Sequence, residues 1–78
     1  MKPINIEYYN FSKRESDVIR ELMKGNIMKE IADILCIAFS TVDSRIRSAK
    51  KKTGAKNIAQ LVYIYILQNL AIYNKVKK

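Results

Sequence analysis

Seventy-eight residues carrying a formal net charge of +8 make one small domain with room for a single modest core. One cysteine and no histidine exclude an intrachain disulfide and a zinc site of the usual Cys/His type. The charge is one-sided: six basic and seven acidic residues up to Asp43 leave −1, and nine basic residues with no acid beyond it give +9, a field that draws polyanions.

Residues 1–10 (MKPINIEYYN) hold the chain's one proline and no helical periodicity. They are expected to form an arm, loose or packed through Ile4, Ile6 or Tyr8. Ser12 and Glu15 have the spacing of a capping box, in which each side chain satisfies the other's free backbone N–H. Val18, Ile19 and Leu22 then form an apolar stripe and Gly25 supplies a stop, which predicts a helix from about Lys13 to Lys24.

Ile27, Ile31, Ala32 and Leu35 form a second apolar set and predict a short helix from about Met28 to Leu35. Its start lacks a capping side chain, because Ile27 precedes it. Cys36, Ile37 and Ala38 leave room for a tight helix–helix corner, with Ile37 plugging the core and Cys36 expected as a small buried or half-buried hydrophobe.

The stretch from Ser40 to Lys56 organises the rest. Val42, Ile46 and Ala49 recur at i, i+4 and i+7, so they share one side of a helix from about Ser40 to Thr53 that Gly54 ends. Ser40, Asp43, Ser44, Arg47 and Lys51 lie opposite, flanked by Thr41, Arg45, Ser48 and Lys52. Such a rod of donors and cations fits a DNA major groove; the plainer reading is a solvated, solubilising face.

Asn57 and Gln60 repeat the cap spacing and open a helix from about Ile58 to Leu70. Ile58, Leu61, Val62 and Tyr65 form one stripe, while Tyr63, Ile64, Leu67 and Leu70 cover much of the remainder. A helix apolar nearly all round is buried on more than one side, which a domain this small does not achieve alone. The run from Ile58 to Leu67 is shorter than the ~20 residues that cross a bilayer. With no secretory n- and h-region at the start, the expected location is cytoplasmic and nucleoid-associated, with no membrane partner.

Two helices, a tight corner and a basic third helix are the sequence form of a helix-turn-helix. The chain also resembles the LuxR/FixJ/GerE-type DNA-binding domain of bacterial transcription regulators. The likeness runs through FSKRESDVI, GNIMKEIADILCI, STVDSRIRSAKKKTGAKN and IAQLVYIYILQNL, from about Phe11 to Ile72. Arg14-Glu15, Lys29-Glu30-Ile31-Ala32, Leu35, Thr41-Val42 and Lys52 before Gly54 agree with the family pattern. The resemblance implies an all-α, four-helix LuxR/GerE-type helix-turn-helix bundle over residues 11–73, between the arm and a basic tail at 74–78. No receiver or ligand domain is expected within these residues.

It also implies that the third helix reads double-stranded DNA. Asp43, Ser44 and Arg47 fall at the base-reading positions; Lys29, Thr41, Arg45, Ser48, Lys51 and Lys52 would grip phosphates. The fourth helix would pair two copies, or bind another regulator, through Gln60, Tyr63, Ile64 and Leu67. The chain departs from the family at Asp43, where Lys or Arg is usual, at Arg45 and Ser48 in place of His and Asn, at Ala38 in place of a capping Ser, and at Thr53 in place of Leu. Asp43 either orients Arg47, accepts from a cytosine, or weakens binding.

With no histidine, no phosphate-binding glycine loop and no carboxylate pair on one face, no enzyme and no cofactor is expected. Two rivals remain: an architectural protein that binds any duplex, and an interaction adaptor whose reading helix has lapsed and whose fourth helix docks on another regulator.

Overall fold

A computed structural model describes the backbone of residues 9–76 and the side chains of residues 9–70. The proposed packing of Ile4, Ile6 or Tyr8 lies outside those residues. Four helices follow one another: α1 (Lys13–Met23), α2 (Met28–Leu35), α3 (Phe39–Thr53) and α4 (Ile58–Val76). This is the all-α, four-helix arrangement expected from the sequence.

Each boundary has a local cause. At the start of α1 the Glu15 N–H donates to Ser12 Oγ at 3.1 Å and the Ser12 N–H donates to Glu15 Oε1 at 2.8 Å, a complete capping box. At its end Gly25 takes φ +91°, a left-handed conformation costly for other residues. Glu30 accepts from the Ile27 N–H at 2.9 Å, so α2 is capped from one side only. Ile27 is held extended before the helix and is 64 % exposed. It therefore lies outside the apolar stripe in which its spacing had placed it.

The α2–α3 corner brings a second correction. Cys36 has φ +56° and is exposed rather than buried or half-buried. It occupies the left-handed position that ends α2, where the Ile37 N–H reaches back to the Ala32 carbonyl at 3.0 Å. That turn points Ile37, and not Cys36, against the core. Three residues thus suffice to turn the chain from α2 into α3.

α3 and α1 each touch the other three helices, and α3 supplies the middle of the core. Its Val42, Ile46 and Ala49 are buried against Val18 and Ile19 of α1, Ile31 and Ala32 of α2, and Leu61 and Tyr65 of α4. Full burial of one such aliphatic side chain stabilises the fold by about 1.5–3 kcal/mol. Thr53, standing at a seam position, donates from Oγ1 to the Ala49 carbonyl at 3.0 Å and accepts from the Ala55 N–H at 3.2 Å. Its hydroxyl therefore helps close the helix before Gly54, at φ +75°.

α4 begins where Asn57 Oδ1 accepts from the Gln60 N–H at 2.8 Å. The Gln60 side chain returns to the Lys56 N–H at 2.6 Å rather than to Asn57, so the expected reciprocal pair is shifted by one residue. The helix runs six residues beyond Leu70, because no glycine or proline follows to stop it. Near its middle Gln68 clasps the backbone of Tyr9, accepting from its N–H at 2.7 Å and donating to its carbonyl at 3.1 Å. Phe11 then stacks at an angle on Tyr65, with ring centroids 5.5 Å apart.

Candidate nucleic-acid interface

With Val42, Ile46 and Ala49 turned into the core, helical geometry leaves two further sides of α3. Ser40, Ser44, Arg47 and Lys51 are exposed on the outer side, where Asp43 is half-buried. The Asp43 carboxylate lies 2.6 Å from a terminal nitrogen of Arg47, one turn on. The Arg47 side chain is 76 % exposed, so the pair stands in water and contributes about 0.3–0.5 kcal/mol to stability. Its consequence is geometric: the guanidinium lies along the helix beside Asp43.

Thr41, Arg45, Ser48 and Lys52 occupy the side turned toward α1. Ser48 Oγ donates to Glu15 Oε2 at 2.6 Å, and Lys52 Nζ donates to Glu15 Oε1 at 2.6 Å and to the Asn10 carbonyl at 3.0 Å. Glu15 is thus a buried carboxylate that accepts from three donors, these two side chains and the Ser12 N–H, while its backbone N–H donates to Ser12 Oγ. Burial pushes its pKa upward, but the hydrogen bonds from Lys52, Ser48 and Ser12, with the Lys52 charge, outweigh that effect and lower it from 4.5 to about 2. The carboxylate is ionised at every physiological pH.

Sequence reasoning assigned Glu15 only its local capping role. Its partners lie 33 and 37 residues away, beyond any local spacing rule. Ser48 and Lys52, expected at phosphates, spend these donors on the fold. Lys29 is exposed near the start of α2, beside an apolar groove of about 490 Å³ lined in part by Phe39, Met28 and Ile58. Arg45 and Thr41 face a separate cleft with Arg14. On α4, Tyr63 is 61 % exposed, Gln60 is exposed but engaged at the cap, and Ile64 and Leu67 are half-buried.

The profile described as GerE, bacterial regulatory proteins of the luxR family, matches residues 9–65, from the Tyr9 clasp to the buried Tyr65 of α4. The chain belongs to the luxR family of bacterial regulatory proteins. Among curated proteins it is similar to the regulatory protein SdiA of Escherichia coli (strain K12), with 40 % identity over 52 residues. That alignment covers 67 % of this chain and 22 % of SdiA, so the chain spans about a fifth of its relative's length. No solved structure is a significant match. Among the described residues, no helix is long and apolar enough to cross a membrane.

Proposed function

We propose that this chain is a sequence-specific regulator that lays α3 in the major groove of double-stranded DNA and works as a dimer joined through α4. The observation that carries the reading is the outer side of α3, where Arg47, Ser44 and Asp43 form one row of exposed or half-exposed polar groups while the opposite seam is locked in the core. A helix with side chains is about 10–12 Å across, matching a groove about 12 Å wide.

In this reading Arg47 offers its fork to guanine O6 and N7, and Asp43 fixes the direction of that fork. Ser44 lies beside them as a hydroxyl donor and acceptor. Lys29, Thr41, Arg45 and Lys51 neutralise or bond phosphates and set the register without reading sequence. Ser48 and Lys52, through Glu15, hold the angle of α3 against α1. The positive field sits on the half of the chain that includes α3, where it speeds encounter with a polyanion. The chain is assigned to the cytoplasm, at the nucleoid.

Dimerisation is supported by the exposed Tyr63 with Ile64 and Leu67 beside it, and by exposed Leu70 and Ile66 on the same helix. Gln60 stands at the edge of that face. A two-fold pair would read half-sites about one helical turn apart. Methylating guanine N7 on a bound duplex tests the major-groove placement. Loss of binding at one guanine per half-site, with minor-groove adenine methylation tolerated, is the expected result. Interference from the minor groove alone would overturn it.

A further inference from the structure

The cleft of about 210 Å³ between α1, the α2–α3 corner and α3 is lined by Arg14, Asp17, Leu35, Ile37, Thr41 and Arg45. Two arginines therefore line one concavity, and neither forms an ion pair among the described residues. The carboxylate in the cleft, Asp17, is bonded by Arg20. Arg14 lies moreover in the first turn of α1, the end of a helix where the backbone dipole disfavours a cation. Like charges gathered against the local rule become favourable when an anion joins them, and two planar forks suit the oxygens of a phosphate.

We propose that this cleft is a phosphate clamp: Arg14 and Arg45, with the Thr41 hydroxyl, hold one backbone phosphodiester of the bound duplex. α1 thereby becomes part of the interface. Together with the Glu15 anchor, the clamp fixes α1 and α3 as one rigid unit on the DNA. The inference rests on the DNA-binding reading above and adds a contact from a helix that reading leaves as scaffold.

The test compares Arg14→Ala, Arg14→Lys and Lys13→Ala for binding to a common duplex across a fourfold range of salt. Lys13 is the neighbouring exposed cation and does not line the cleft, so its removal controls for net charge. One lost phosphate contact reduces the salt slope by about 0.9, so Arg14→Ala should lose about 3.5-fold less affinity than the parent over that range. The weakening should be equal on every sequence, Arg14→Lys should recover most of the slope, and Lys13→Ala should match the parent. Equal effects of Arg14→Ala and Lys13→Ala, or no effect of either, would overturn the clamp while leaving DNA binding intact. A shift of the Arg14 Nε resonance on adding inorganic phosphate to the parent protein, with duplex binding unchanged in Arg14→Ala, would reassign the cleft to a free anion and overturn the DNA contact. Failure of the parent protein to bind any duplex would overturn both readings.

Discussion

Lys52 Nζ lies 2.6 Å from Glu15 Oε1, joining the last turn of α3 to the first turn of α1. Ser48, one turn earlier, bonds the other oxygen of the same carboxylate at 2.6 Å. The two contacts fix both the rotation and the tilt of α3, because a helix held at two successive turns cannot roll about its axis without breaking one of them. The polar anchor complements an apolar seam that has no directional preference of its own.

Acid titration of stability follows from this anchor. The Glu15 pKa is lower in the folded chain, about 2 against 4.5, so the folded state favours the ionised form. Its contribution is fully present above about pH 4.5 and disappears as pH falls toward 2, with a total on the order of 3 kcal/mol. Glu15→Gln should lose most of that stability at neutral pH and flatten the acid limb of the melting curve. Lys52→Ala should lower the melting temperature as well, whereas Lys51→Ala should not, and thermal melts from pH 2 to 7 distinguish them.

The start of α3 can be improved. Ala38 has the extended backbone of an N-cap, φ −68° and ψ 149°, but no side-chain acceptor. Ala38→Ser should supply one and stabilise the domain by about 1 kcal/mol, raising the melting temperature by about 4–8 °C. An unchanged melting temperature would show that the first N–H groups of α3 are already satisfied.

Asp43 and Arg47 are expected to separate affinity from discrimination. Arg47→Ala should cost about 1–3 kcal/mol at one or two guanine positions and leave the rest of the preference intact. Asp43→Asn should act in the opposite direction on affinity, removing a repulsion of about 1 kcal/mol from every duplex while the freed Arg47 discriminates less sharply. Equal losses on all sequences for both variants would contradict the division of roles.

Tyr63→Arg tests the α4 pairing. Tyr63 contributes little to the monomer's core at 61 % exposure, so the variant should fold normally. Sedimentation should change from a dimer to a monomer, with duplex affinity falling because two half-sites no longer act together. A parent protein that sediments as a monomer at micromolar concentration, with DNA present, would remove the dimer from the account.

Much of the fold was legible because its elements carry local signals. The Ser12/Glu15 box, Gly25, Gly54 and the Val42/Ile46/Ala49 spacing locate α1, α2 and α3 to within a residue or two. What stayed hidden depends on distant partners or on one dihedral angle. Gln68 carries no local signal for its role, because its partner is the Tyr9 backbone, 59 residues away. Ser48 and Lys52 read as outward donors because they flank the side of the helix opposite its apolar seam, and Glu15, their partner, lies 33 and 37 residues away. Cys36 has a buried residue's composition but a left-handed backbone, and the backbone decides its exposure. For the site itself, the helix face was readable, whereas the direction of each donor on it was not.

The most direct test of the account is to mix the protein with random duplexes at about 0.15 M salt and sequence what remains bound. The account predicts enriched half-sites in inverted repeat, about one helical turn apart, with a guanine whose enrichment vanishes for Arg47→Ala. Retention without enrichment, or no retention at all, would contradict it.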